Sequence, residues 1–285
     1  AAWLFCLGCD APAPDSGESV SRAAIETGLA GLLIDLLRRQ ESLAPLVFLF
    51  NKVLFAAHGA LPSENLPDTV RQAAGQVLYE INERQAGLRR RVVALIPGNE
   101  VIVFTHSYSS TVLDALQLAH MGGRRPRVFC TESQPGGEGR AMAAQLAQSG
   151  IPTTLIPDAA VFDSIQQAEM VLIGADSLTE RGVLAKMGTR AVVAAAGSAH
   201  LPCYVVADSA KIWPAALGDP PVLDLPADEP QPGMRWLHRQ FDLTAWRGLS
   251  GVVTDNGLLT ADEVIAQSRE LPVNAALQAA VNLLR

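Results

Sequence analysis

Five runs of β-forming residues in the second half of the chain each end in a short polar stretch, and the side chains able to do chemistry gather there. After the first run comes Thr105-His106-Ser107-Tyr108-Ser109-Ser110, leading into a helical pattern. The second is followed by Thr131-Glu132-Ser133-Gln134-Pro135-Gly136-Gly137, and the third by Pro157-Asp158-Ala159-Ala160. Gly174-Ala175-Asp176-Ser177-Leu178 follows the fourth, with Lys186 further on before another helix, and Asp208-Ser209-Ala210-Lys211 follows the fifth. Hydroxyls and backbone N–H groups at a helix start suit a phosphate. Glu132, Asp158, Asp176 and Asp208, with two of the three lysines in the chain, suit the hydroxyls and protons of a polyol. The collection fits a phosphorylated polyol.

Simpler roles compete at several positions. Ser109 or Ser110 can serve as a plain helix cap. Gly136, Gly137 and Gly139 can make a turn, and Asp158 reads more readily as a helix N-cap than as a catalyst. Asp176 is the position least explained by structure alone. Ser209–Lys211 is an SxK and not the SxxK of a serine–lysine hydrolase. His106 and Ser107 are neighbours on a strand end, where side chains point apart, so they form no triad. No GxGxxG follows a strand and no GxxxxGK[ST] is present, which disfavours a dinucleotide and excludes a P-loop.

These strand ends need a sheet to position them. The runs Val101–Thr105, Arg127–Thr131, Thr153–Ile156, Met170–Ile173 and Cys203–Ala207 alternate with helical patterns at Ser110–Met121, Gly139–Ser149, Phe162–Gln167 and Gly188–His200. Such alternation predicts βαβ units and a mainly parallel sheet. The runs are continuously apolar, so the strands are covered on both faces. Gly251–Thr254 and a helix start at Ala261–Ser268 close this part, and Gly218–Gly233 reads as a loop. In an open parallel sheet ligands bind at the carboxyl ends of the strands. Ser16–Arg91 is instead helical, with predicted helices after Ser19 or Ser21, over Ser42–Ala57, and from Pro67-Asp68 to Arg91. The expected organisation is an N-terminal extension (1–15), a helical domain (16–97) and a Rossmann-like α/β domain (98–285).

Composition narrows the function. The chain has 285 residues and a net charge of −7, with 5% aromatics. Neither a general positive field nor a base-stacking surface is available, so direct nucleic-acid binding is not expected. No uninterrupted apolar run approaches the ~20 residues of a membrane span, and no membrane partner is expected. Cys6 and Cys9 form a CxxC without a second ligand pair, so no zinc site is expected. Cys130 and Cys203 lie in apolar runs and read as buried small hydrophobes. A reducing cytoplasm is the expected compartment, with no signal peptide.

Phe104-Thr105-His106-Ser107-Tyr108-Ser109 and Thr131-Glu132-Ser133-Gln134-Pro135 resemble the regulatory α, β and δ subunits of translation initiation factor 2B. Gly174-Ala175-Asp176-Ser177-Leu178-Thr179-Glu180-Arg181-Gly182 and Ala185-Lys186-Met187-Gly188-Thr189 are more similar to sugar-phosphate isomerases of the same superfamily, which act on methylthioribose-1-phosphate and ribose-1,5-bisphosphate. Phe241-Asp242-Leu243-Thr244 and Val253–Thr260 resemble closing motifs shared by both branches. The resemblance covers about Ser16–Arg285.

It implies a helical N-terminal domain, a Rossmann-like C-terminal domain, no cofactor, and a homodimer or higher homo-oligomer. It also implies conversion of an aldose 1-phosphate to a ketose 1-phosphate, with Asp176 and the residue at position 107 as the catalytic pair. The isomerases carry cysteine where this chain has Ser107, their asparagine is Ala185, and an arginine is Gln134. A serine hydroxyl is far too weak an acid to replace a thiol unaided. The alternative is therefore a non-catalytic regulatory protein that binds a sugar phosphate or a nucleotide. On either reading the expected ligand contacts are Arg22, Thr105, Ser109, Ser110, Glu132, Gln134, Lys186 and Asp242.

Overall fold

The computed structural model describes residues 21–39, 43–60, 65–98, 100–221, 233–234 and 239–284. The Cys6–Cys9 pair, Ser19, Ser42 and most of the expected Gly218–Gly233 loop lie outside them.

The chain opens with three helices. In α1 (Arg22–Arg38) the Ser21 hydroxyl accepts the Ala24 N–H at 3.2 Å, and Leu29, Leu33 and Leu37 form the buried face. The strongly apolar α2 (Leu43–Gly59) packs against α1 and against α3 (Leu66–Leu95). Pro67 sits in the first turn of α3, where its missing N–H costs nothing.

The α/β part then runs β1 (Glu100–Thr105), α4 (Ser110–Met121), β2 (Arg125–Thr131), α5 (Glu138–Gln148), β3 (Thr153–Ile156), α6 (Val161–Ser164), β4 (Met170–Gly174), β5 (Ser177–Thr179), β6 (Gly182–Lys186), α7 (Thr189–Ser198), β7 (Cys203–Val206), β8 (Phe241–Thr244), β9 (Gly251–Thr254), β10 (Gly257–Leu259), α8 (Ala261–Glu270) and α9 (Ala275–Asn282). The main sheet has the order β10-β9-β7-β4-β1-β2-β3, parallel except for β10. Both faces are covered, as continuous apolar strands require. On one face Leu88 and Val92 of α3 pack with Val112 and Leu116 of α4 and Met142 and Leu146 of α5. On the other, Val161 of α6, Val192 and Ala196 of α7 and Val264 of α8 form the core. Along β1 the side chains alternate, Val101 and Val103 to the first face and Phe104 to the second.

Three features depart from the expected elements. The segment after β4 is not a plain loop leading to Lys186. Strands β5 and β6 form an antiparallel hairpin, and β8 joins β6 to complete a second, three-stranded sheet. Three- and five-residue strands buried on both faces carry no readable period, and β8 lies more than 50 residues further along. The expected helix over Phe162–Gln167 is only the short α6 flanked by 3₁₀ turns at Asp158–Ala160 and Ile165–Gln167. Finally, α9 returns to the helices: Leu277 and Val281 join Leu33, Leu37, Phe50 and Leu54 in one core cluster, together with Trp213.

Candidate functional site

The carboxyl ends of β1 and β4 open into a polar cavity of about 190 Å³. Ser107, Tyr108, Ser109 and Ser110 line it from the β1–α4 connection, and Gly174, Ala175 and Asp176 from the end of β4. Ala185, Lys186 and Thr189 come from β6 and the start of α7, and Lys211 from the turn after β7.

The β1 side is held by a buried relay. His106 is 4% exposed. Its Nε2 lies 2.9 Å from the Met187 carbonyl, which only an Nε2–H can satisfy. Nδ1 then accepts from the Thr131 hydroxyl at 2.6 Å, and Thr131 Oγ1 lies 2.8 Å from Ser133 Oγ. Ser133 Oγ in turn accepts the Ser107 N–H at 2.7 Å. Burial pushes the imidazole below its ordinary value, outweighing the Met187 hydrogen bond and the nearby Asp158 and Asp242 charges, so the neutral tautomer persists. Ser107 and Ser133 both sit in the left-handed region, at φ 63° and 65°. For residues with a Cβ this costs about 1–2 kcal/mol each, which the relay offsets. The turn at Ser107 lets Ser109 cap α4, its hydroxyl accepting the Val112 N–H at 3.3 Å.

Across the cavity the β5–β6 hairpin positions Asp176, whose N–H donates to the Leu184 carbonyl at 2.9 Å. Lys186, 7% exposed, donates to Glu138 Oε1 at 2.7 Å and to the Pro135 carbonyl. Lys211 Nζ donates to the Ala175 carbonyl at 2.7 Å. Burial pushes the Asp176 carboxyl above the ordinary carboxylate range, while Lys211 and then Lys186 pull it back down. The site can therefore hold an anion on two cations, hydroxyls and a helix start, beside a carboxyl poised to carry a proton.

The cavity brings together five of the residues singled out in the sequence: Ser107, Ser109, Ser110, Asp176 and Lys186. The other five do not line it. Thr105 is fully buried beneath, its hydroxyl unpartnered among the described residues. Glu132 pairs with Arg140 at 3.0 Å, and Arg22 donates to the Ala60 carbonyl at 2.7 Å. Asp242 accepts the Gly188 N–H at 3.0 Å and the Thr244 hydroxyl at 2.8 Å, fixing the turn from β6 to α7. Gln134 donates its backbone N–H to Asp158 at 2.7 Å. Asp158 takes the Ser133 N–H as well, at 2.8 Å, so it caps the loop after β2, where the sequence had suggested the N-cap of a helix of its own. Lys211, His106, Tyr108 and Thr189 also line the cavity. The scarcity of lysine was a signal for Lys211, whereas Thr189 carried none.

A helical layer joined to a doubly covered parallel sheet, with a small polar cavity at the carboxyl ends of its strands, defines an α/β protein whose cavity lies where open parallel sheets bind their ligands. The model of the Initiation factor 2 subunit family matches residues 42–261, and the chain belongs to that family. A translation initiation factor eIF-2B subunit 2-like protein of Pyrococcus horikoshii is 30% identical over 260 residues, 91% of this chain and 90% of that protein. The ribose 1,5-bisphosphate isomerase of Archaeoglobus fulgidus is 33% identical over 166 residues, 55% of this chain and 53% of the enzyme. The crystal structure of Pyrococcus horikoshii OT3 translation initiation factor eIF-2B matches at a TM-score of 0.68 and 24% identity, covering 88% of this chain and 95% of that one, a likeness of fold.

Proposed function

We propose that the cavity binds a sugar phosphate and converts an aldose 1-phosphate to a ketose 1-phosphate, with Asp176 moving the protons. The observation that carries this reading is the Asp176 carboxyl, pushed up by burial and drawn back down by Lys211 and Lys186, in a cavity it shares with both lysines and with the hydroxyls of Ser107, Ser109, Ser110 and Thr189. Opening the sugar ring breaks the bond from C1 to the ring oxygen, and that oxygen takes a proton. Hydrogen moves from C2 to the electron-poor C1 with its bonding electron pair, and the C2 hydroxyl gives up its proton as the ketone forms. A carboxyl with a raised pKa can supply the first proton and receive the last. Lysines Lys186 and Lys211 neutralise phosphate charge, and Ser109, Ser110 and the N–H groups starting α4 hold phosphate oxygens. The lining has no large aliphatic side chain, which favours a ribose-1,5-bisphosphate type of substrate over one with a thioether. The protein works as a homodimer or higher homo-oligomer.

Incubation with ribose-1,5-bisphosphate, followed by NMR, tests this. Ketose formation that disappears in Asp176→Asn is the expected result. A second reading rests on Ser107, which offers no thiol at the cavity: the site then binds sugar phosphate or nucleotide without turnover and acts as a sensor. Binding by calorimetry with the sugar unchanged after prolonged incubation favours that reading over the first.

A further inference from the structure

Behind the cavity lies a second polar cluster that the catalytic scheme leaves unused. Ser209 begins the 3₁₀ turn Ser209–Lys211. Its backbone N–H donates to Asp255 Oδ1 at 2.7 Å and its hydroxyl to Asp255 Oδ2 at 2.9 Å. Arg84 of α3 reaches the same hydroxyl. Asp255 is itself tied to α3, since its carbonyl accepts from Arg91 Nε at 2.9 Å. Two residues beyond Ser209, Lys211 sends its ammonium to the Ala175 carbonyl, next to Asp176. The Lys211 N–H donates to the Asp208 carbonyl at 3.0 Å, and the Asp208 carboxylate, 2% exposed, accepts the Ala210 N–H at 3.0 Å. Ser209, at the start of the turn, is thus held from the long helix on one side and from the β9–β10 turn on the other.

We infer that Ser209, Asp255 and Arg84 are positioning residues that set the place of Lys211 against Asp176, so that α3 reaches the cavity through them. None of the three lines the cavity. The Lys211 charge acts on two carboxylates, Asp176 and Asp208, and a small displacement of the turn changes how it divides between them. Other charged groups act on the same field: Lys186 on Asp176, and Asp255 and Arg84 on Asp208. The inference rests on the reading of Asp176 as the proton carrier, but its test does not need turnover.

Ser209→Ala removes no charge, so any electrostatic change it produces at Asp176 has to come through geometry. The full chain is labelled with ¹³C at aspartate, Asp176 is assigned by difference from Asp176→Asn, and its carboxyl is titrated by NMR. Weakening the pull of Lys211 favours the protonated form. Ser209→Ala should therefore raise the titration midpoint, a roughly threefold change in the protonation equilibrium. Lys211→Met should move it the same way and further, and Ser209→Thr should restore it. If ribose-1,5-bisphosphate is turned over, Ser209→Ala should lower kcat about tenfold with KM within twofold. A midpoint unchanged in Ser209→Ala but moved in Lys211→Met overturns the inference and leaves Ser209 a fold-stabilising residue. Absence of turnover in the wild type, with the midpoint shift present, defeats the isomerase reading alone. If Ser209→Ala does not fold, Arg84→Lys, which keeps the charge but loses the guanidinium contact to Ser209 from α3, is titrated in its place with the same expected direction, and an unmoved midpoint there overturns the inference equally.

Discussion

A Cβ built on Gly174 falls 2.8 Å from both Cβ and Oγ of Ser109, so the last residue of β4 makes room for the cap of α4. The two sides of the cavity are therefore fitted to each other at this point. Gly174→Ala should push Ser109 off the Val112 N–H, costing about 1 kcal/mol as for other lost caps. If the cavity binds a sugar phosphate as proposed, the substitution should also weaken that binding about tenfold, because the same helix start would supply phosphate contacts. Calorimetric titration with ribose-1,5-bisphosphate beside a urea melt checks both. Unchanged affinity would remove Ser109 from the phosphate site.

The relay through His106 makes stability depend on pH. Its folded-state pKa lies below the ordinary 6.5, because burial opposes the charge. The unfolded chain therefore binds a proton that the folded chain refuses as pH falls through about 6.5, and stability is lost in that direction. Above that range the histidine is neutral in both states and the term vanishes. His106→Gln should flatten this part of the stability–pH curve. At pH 8 it should cost about 1–3 kcal/mol, since the Met187 carbonyl and the Thr131 hydroxyl lose their partner. Urea melts from pH 5 to 8 on both proteins provide the measurement.

Much of this architecture was legible in the residues. The apolar runs that became β1, β2, β4, β7 and β9 were readable because each has a continuous apolar stretch flanked by turn residues, whereas β3, half threonine, was readable as a short β-forming run between helical patterns. Asp176 stood out because nothing local required a carboxylate there. The hairpin that positions it was not legible: its strands are three and five residues long, and its third strand lies far along the chain. The same limit explains Glu132, Gln134 and Asp242. Their motifs place them at strand ends or in connections, but Glu132 is taken up by an ion pair to Arg140 and Asp242 by the turn at Gly188, and Gln134 is fixed through its backbone N–H on Asp158. Partner choice among polar groups at a sheet edge is decided by tertiary approach, which local sequence does not encode.

Asp176→Asn should separate function from stability. The buried carboxyl has its pKa raised in the folded state, so the folded chain holds its proton more tightly than the unfolded one. Above the folded pKa this is a stability penalty, relieved as pH falls through that pKa towards the unfolded value. The asparagine variant carries no such penalty. It should melt higher than the wild type at pH 8 by roughly 2–4 °C and lose that advantage at pH 4, while abolishing ketose formation. Thermal melts at the two pH values, with the NMR assay alongside, decide it. A lower melting temperature at pH 8 would mean that the pairing with Lys211 and Lys186 outweighs burial.

Position 107 offers the sharpest test of what the site can do. Ser107 lines the same cavity as Asp176, with its backbone locked by the Ser133 hydroxyl at 2.7 Å. Cysteine differs from serine there by one atom and keeps the same backbone donor, so Ser107→Cys should fold as the wild type does. A thiol titrates near ~8.5 and the two cavity lysines favour its thiolate, so the variant gains a proton acceptor that the serine cannot supply. If the chain is an isomerase working on Asp176 alone, Ser107→Cys should raise kcat by about 10²-fold, the usual worth of one acid–base group. It should also introduce a new basic limb in the pH–rate profile. Ser107→Ala should cost less than tenfold, since the serine holds the sugar without moving protons. If Ser107→Ala loses as much activity as Asp176→Asn, the hydroxyl itself carries a proton. If Ser107→Cys binds the bisphosphate as tightly as the wild type and neither turns it over, the cavity is a binding site and the sensor reading replaces the isomerase.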